Sequence, residues 1–325
     1  MSEHFAAVEY NEVRTPDYQY RDLLKTIQST GRAALSGMDE GSRRAPRVQT
    51  LAFDLSNGFP LITERDLTRG TTPEIIAGYE SKPQARPLAG PIKQGVGEII
   101  GFINGARTQE ELESYGCYFW KPWTTDLAKA AKRGLELGDL GPGSYGAAFH
   151  NFPTGDGGTF DQYEAMIAQI KDRPELRTHI ITPFIPDLIT RAPGHQQKVL
   201  VVPCHGLQHY SIDQENHEIS MVHFQRSADS PVGLPFNFAH YASLLMMVGQ
   251  VTGYKPRQLE FAISDAHYYN RHEDLVTELT SREPFAFPKV TIDPDVKNLK
   301  DFRVEHFEVE EYYAHPPIDV GGTAV

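Results

Sequence analysis

VVPCHGLQHYSIDQENHEISMVHFQRSADSPVGLPFN, residues 201–237, carries most of what the chain reveals about its fold. HGLQHYSI (205–212) and EISMVHFQ (218–225) are short, rich in alternating apolar positions and bounded by turn residues, which predicts two strands. The apolar run KVLVVP (198–203) predicts another strand just before Cys204, and THIITP (178–183) one more. Next comes Asn237–Val251 (NFAHYASLLMMVGQV), apolar around most of its circumference, which predicts a helix buried at the centre of the domain. QLEFAIS (258–264) reads as a strand and HYYNRHEDLVTELT (267–280) as a final amphipathic helix.

Toward the N-terminus, residues 18–30 carry apolar positions at helical spacing, a Gly/Arg-rich loop follows at 37–47, and VQTLAFDL (48–55) alternates as a strand. Residues 66–95 look irregular, with ESKPQARPLAGP (80–91) as a surface excursion. GEIIGFING (97–105) predicts a short buried helix, Thr108 and Glu111 a capping box, and GDLGPGSYG (138–146) a tight turn. With no repeat and no linker, the expectation is one α+β domain over residues 1–325.

A net charge of −12 argues against a nucleic-acid groove, whose phosphate contacts need clustered Lys and Arg, but a few arginines in one cleft still suit a small anion. No apolar run reaches the roughly 20 residues of a membrane span, and MSEHFAAVEYNEV lacks the features of a secretory signal. Two cysteines, Cys117 and Cys204, fit a reducing compartment, so a cytoplasmic location is expected. Cys204, His205, His267 and His272 lack metal-ligand spacing, so no metal is expected.

Four elements can carry chemistry, each beside a plainer reading. Cys204 after an apolar run is inert core on spacing alone, yet Pro203 turns the thiol outward, His205 is placed to ionise or orient it, and arginines would favour the thiolate. Arg226 and Ser227 suit a phosphate; a surface salt bridge from Arg226 to Asp229 is equally open. Asn237 is either an N-cap or a carboxamide whose donor and acceptor match the O4 and N3–H edge of uracil. In DAHYYNRH, His267 and Tyr269 fall at the end of a strand.

In this order the four elements resemble the thymidylate synthase family. The likeness runs from LAFDLSNGFPLIT at 51 to the tail HPPIDVGGTAV, and is densest from Pro203 to Ile292 through QRSAD, GLPFN, DAHYYNRH and SREPFAFPKVTI. The resemblance implies a large mixed sheet with helices on one face and a homodimer partner on the other. It implies dUMP as substrate and 5,10-methylenetetrahydrofolate as co-substrate. Cys204 would attack C6, Glu98 would be the general acid/base, and Tyr145 would assist loss of the C5 proton. Arg226 and Ser227 would bind phosphate with Arg177 from the partner, Asn237 would read uracil, and His267 and Tyr269 would hold the 3′-hydroxyl. The folate would lie against Trp120, Trp123, Asp229, Gly233 and Phe236, under a tail that includes Ala324.

The sequence also departs from the family's pattern. Thr178 replaces a second arginine, and Arg43, Arg44 and Arg47 are the candidates for a missing phosphate contact. GEIIGFI lacks the usual His before Glu98 and Trp near the helix end, Phe184-Ile185 replaces a Trp-Asn pair, and the turn before Tyr145, GPGSYG, has one extra residue. An insertion occupies about 70–95. The changes on Glu98's helix and in Tyr145's turn fall where water near C5 is organised, so the expected product is 5-hydroxymethyl-dUMP, as in phages that modify their DNA (the location then being the host cytoplasm), with dTMP the alternative.

Overall fold

The helix expected at 237–251 spans Leu234–Thr252 and lies at the centre of the molecule, every residue from Asn237 to Gly249 being buried. It begins earlier than its apolar run suggests because Leu-Pro opens the first turn, where a proline has no N–H to lose. Gly253 ends it with φ +86°, donating its N–H to Gly249 O at 2.8 Å. Asn237 therefore sits inside the first turn, and the N-cap position belongs to Gly233. The computed structural model describes residues 8–35, 41–68 and 85–321.

One face of this helix packs on a five-stranded mixed sheet, in the order Gln49–Asp54, Lys255–Ile263, Glu218–Gln225, Leu207–Asp213, Ile180–Ile181. Only Glu218–Gln225 and Lys255–Ile263 run parallel. The two-residue alternation of Glu218–Gln225 turns Ile219, Met221, His223 and Gln225 inward and leaves Ser220, Val222 and Phe224 on the opposite face. On the helix's other side lies Gly90–Ile103, the helix of Glu98. The result is an α+β architecture, as expected.

A second sheet positions much of the candidate site. Its order is Arg32–Leu35, Gly41–Arg44, Ala266–Tyr269, Ala228–Asp229. Its register sets Asp229 beside His267 and His267 beside Arg44.

Several expectations need correction. Among the described residues KVLVVP joins no ladder, because its backbone bonds go singly to separate segments: Lys198 N–H to Leu188 O, Leu200 N–H to Leu140 O, and Gly143 N–H to Lys198 O. Only Ile180–Ile181 of THIITP is strand. The loop read at 37–47 contains a strand at Gly41–Arg44, paired with Arg32–Leu35. HYYNRHEDLVTELT divides into the strand Ala266–Tyr269, a 3-10 turn, and the helix Glu273–Ser281. The helix of Glu98 starts at Gly90, seven residues before its expected start at Gly97. Within the expected insertion, residues 69–84 lie outside the described residues, while Arg86–Pro87 forms an edge strand beside Phe307–Glu310. The capping box at Thr108 and Glu111 forms as expected. Among the described residues no helix is long and apolar enough to cross a membrane.

One core group is costly. Glu64 is 2% exposed; its Oε2 accepts the Thr63 N–H at 3.0 Å, and among the described residues Oε1 has no partner. Burial raises its pKa from 4.5 to about 7, with backbone hydrogen bonds pulling it back in part. A carboxyl with a raised folded-state pKa favours folding at low pH and loses that contribution as pH rises through about 7. Glu64→Gln should therefore add about 3 kcal/mol at pH 8 and nearly nothing at pH 4. Urea unfolding at the two pH values measures this, and an equal effect at both would refute it.

Candidate active site

Cys204 is held through its backbone. Its N–H donates to the Tyr145 hydroxyl at 2.6 Å, and its carbonyl accepts the N–H groups of Arg226 at 2.9 Å and Ser227 at 3.3 Å. Arg226 closes the clamp, donating from Nε to Pro203 O at 2.7 Å and from Nη2 to Val202 O at 2.9 Å. The same Nη2 lies 3.4 Å from the half-buried Cys204 Sγ. The open alternative of an Arg226–Asp229 salt bridge is not what the side chains make; Asp229 Oδ1 lies 3.8 Å from His272 Nδ1. Burial raises the thiol's pKa, Arg226 lowers it and Asp265 raises it, with the net effect upward. Arg226 thus acts in the direction expected of an arginine, and burial outweighs it.

His205 does not serve the thiol directly. Its Nδ1 pairs with the Tyr241 hydroxyl at 2.6 Å, and its ring stacks on Tyr145 with centroids 4.5 Å apart. Burial, followed by the neighbouring His240 and His223, lowers its pKa well below the ordinary value, so the ring is neutral. It supports Tyr145, whose other face stacks on Phe102 at 4.6 Å. Burial raises the Tyr145 pKa well above its ordinary value, so this hydroxyl stays protonated.

Glu98 projects from Gly90–Ile103 with a side chain beside each oxygen. Trp120 Nε1 donates to Oε1 at 2.5 Å, and His240 Nε2 lies 3.1 Å from Oε2. Gly97 explains why no side chain precedes Glu98: a Cβ there would sit 2.2 Å from Tyr115 O. One turn past Asn237, His240 turns its Nδ1 to within 3.4 Å of Asn237 Nδ2, while Gln225 Nε2 donates to Asn237 Oδ1 at 2.8 Å. Cys204, Tyr145, Glu98, Arg226 and Asn237 thus belong to one connected group with Gln225, Trp120 and His240. Neither Gln225 nor His240 had been singled out from the sequence. A polar residue in an otherwise apolar helix, one turn after Asn237, was the available signal.

The second sheet carries the next set. His267 is buried, its Nδ1 3.1 Å from Asp265 O, and its ring meets Tyr269 edge-on at 5.3 Å. Of the three arginine candidates, Arg44 pairs with Asp265 at 3.1 Å, Arg43 donates to Gln28 O at 3.3 Å, and Arg47 is exposed. Arg177 is exposed at the edge of the large sheet, with His209 Nε2 against its carbonyl at 3.2 Å; its side chain is not part of the Cys204 cluster. Ala324 lies outside the described residues.

Trp120 and Trp123 lie 5.7 Å apart, and Phe119 meets Phe236 at 5.3 Å, close to Gly233 and Asp229. Trp123 and Phe236 keep partly open faces and Asp229 is half-buried. Aromatic walls with a carboxylate acceptor suit a flat, hydrogen-bonding ring.

Among known protein families, the model described as thymidylate synthase matches residues 18–321. The thiol's setting has a direct consequence. Alkylation of Cys204 by iodoacetamide should have its pH midpoint above that of a free cysteine, and Arg226→Gln should move it higher still and slow the reaction at pH 8. A midpoint unmoved by the substitution would refute the charge contribution.

Proposed function

The chain belongs to the thymidylate synthase family, a family of folate-dependent one-carbon transferases acting on C5 of dUMP, and from that premise we propose that its product is 5-hydroxymethyl-dUMP. The supporting observation is at Glu98. Its neighbour Gly97 is packed against Tyr115 O, so the imidazole usual before this carboxylate has no room, and His240 of the central helix approaches Oε2 instead. Water around the carboxylate is therefore organised differently from the family's usual pattern, at the place where the outcome at C5 is decided.

In this reading the Cys204 thiolate attacks C6, a C–S bond forms, and the C5–C6 π pair moves toward O4. Asn237 holds O4 and N3–H. C5 bonds to the one-carbon unit of methylenetetrahydrofolate and loses its proton through water ordered by Tyr145 and Glu98. Tetrahydrofolate leaves as its bond to that carbon breaks, giving an exocyclic methylene. Water adds there, the electron pair returns through C5, and Cys204 is expelled as C5=C6 reforms. Delivery of hydride in place of water would give dTMP and dihydrofolate; the Trp120–Trp123 wall is compatible with that second outcome.

Arg226 and Ser227 are assigned to the phosphate, His267 and Tyr269 to the 3′-hydroxyl, and Trp120, Trp123, Asp229, Gly233 and Phe236, with Ala324 in the tail, to the folate. We read the chain as one cytoplasmic domain forming a homodimer. The outer face of the large sheet supports this: Val222 is 43% and Ile180 51% exposed, and both pair in register with His209, which places them on the same face. A partner there would bring its Arg177 toward the neighbouring phosphate.

Mass spectrometry of the product from dUMP and methylenetetrahydrofolate, with dihydrofolate followed at about 340 nm, tests the product. A hydroxymethyl nucleotide without dihydrofolate is expected; a methyl nucleotide with dihydrofolate would overturn the proposal. Mixing inactive Cys204→Ser with inactive Arg177→Ala subunits should restore about a quarter of wild-type activity through heterodimers, and no recovery would refute the shared site.

A further inference from the structure

Away from the Cys204 cluster, positive charge gathers on a chain that is acidic overall. Two segments meet there. One begins with the short helix Leu127–Lys132, capped by Asp126, and runs through Gly134 to Asp139; the other is the loop 190–198. Gln196 joins them, its Nε2 donating to Lys132 O at 3.2 Å. The loop is also held from within. Arg191 Nε donates to Gln197 Oε1, the buried Gln197 donates to Val199 O at 3.0 Å, and His195 Nε2 lies 2.6 Å from Asp187 O.

Between the two segments lies a cleft of about 460 Å³, whose lining includes Arg107, Arg133, Glu136, Asp139, Gln196 and Lys198. Small-molecule sites run to roughly 300–1,000 Å³, so there is room for more than a single phosphate group. The cations here are not balanced by the cleft's own acids. Arg107 and Asp139 cancel one another through two hydrogen bonds of 2.8 and 2.6 Å. Arg133 has no hydrogen bond or ion pair among the described residues, and its Nε is buried without a partner. Lys129, Arg191 and Lys198 likewise form no ion pair among the described residues, and Glu136, which is exposed, is the lining carboxylate left to face them. Burial, then the charge of Arg191, lowers the pKa of Arg133. Lys129 is lowered by burial first, with Asp126 opposing and Arg133 and Arg191 adding to the effect. Like charges held this close repel, and a bound anion removes that cost.

The donors indicate the class of anion. An arginine fork beside a lysine point charge suits phosphate oxygens, and no aromatic side chain lines the cleft to stack a base. We propose that this cleft is a second anion site, taking the phosphate chain of a polyphosphorylated small molecule through Arg133 and Lys198, with Arg191 and Lys129 adding charge. It lies outside the Cys204 cluster but is tied to it. Gly143 N–H donates to Lys198 O at 3.2 Å and Leu200 N–H to Leu140 O at 2.9 Å, and these same two segments lead to Tyr145 and Cys204, which are bonded at 2.6 Å.

Titration calorimetry of the full chain with tripolyphosphate, at an ionic strength fixed with sodium chloride, tests the site. Binding should survive Arg226→Gln unchanged and weaken about tenfold in Arg133→Gln, the size of one lost charge-assisted hydrogen bond. Lys198→Gln, at an exposed position, should weaken it similarly and keeps the test decisive if Arg133→Gln does not fold. No binding, binding lost in Arg226→Gln, or binding unmoved by a folded Arg133→Gln or Lys198→Gln would overturn the proposal. ATP distinguishes the sources of the chain. Affinity equal to that of tripolyphosphate assigns the cleft to the phosphates whatever carries them, whereas ATP binding tenfold tighter assigns it to a nucleotide; both uphold the site.

Discussion

The structure depends on burying a helix that is not wholly apolar. Leu234–Thr252 is enclosed by the large sheet and by the helix Gly90–Ile103, yet carries Asn237, His240 and Ser243 on its buried surface. An unpaired polar group in such a place costs about 1–3 kcal/mol, so the elements around it must supply partners at defined positions. Gln225 supplies one to Asn237 from the last residue of a strand, and Glu98 on the neighbouring helix brings a carboxylate oxygen to 3.1 Å from His240 Nε2. Sheet, central helix and outer helix are thus aligned by the same contacts that assemble the candidate site. A shift of the Glu98 helix by one residue would separate Glu98 from both Trp120 and His240.

Local electrostatics outweighs overall charge here. The chain is acidic, with a net charge of −12, but what governs Cys204 is burial against one guanidinium. Arg226 commits Nε and Nη2 to two carbonyls, and this fixes its position beside the thiol. The arginine acts first as a clamp on residues 202–204, and its charge on the thiol follows from that geometry. The neutrality of His205 has the same cause, since burial makes its ring part of the stack beneath Tyr145.

Elements whose signal is local were legible in the sequence: the central helix, the strands Leu207–Asp213 and Glu218–Gln225, and the capping box at Thr108. What escaped depended on pairing across the chain. KVLVVP has strand composition but no neighbour to form a ladder, and Gly41–Arg44 looks like a loop until Ala266–Tyr269 comes beside it. In the site, Cys204, Arg226 and Asn237 stood out because motifs surround them. Gln225 and His240 did not, because their importance lies in which side chain they face. The alternation of Glu218–Gln225 could have placed Gln225 on the inner face, but not opposite Asn237.

Gly97 and His240 are best understood together. A glycine before Glu98, where the family resemblance leads one to expect an imidazole, looks along the sequence like damage. In three dimensions Gly97 lets the outer helix pack against Tyr115 O, where even a methyl group would clash, while the central helix supplies an imidazole to the same carboxylate. The imidazole has changed element, and with it the group it faces next. An imidazole preceding Glu98 on the same helix has no covalent tie to Asn237, whereas His240 stands one helical turn from it, with one nitrogen for each. The ring therefore stands within reach of both side chains, 3.1 Å from Glu98 Oε2 and 3.4 Å from Asn237 Nδ2, so the two helices meet at one imidazole.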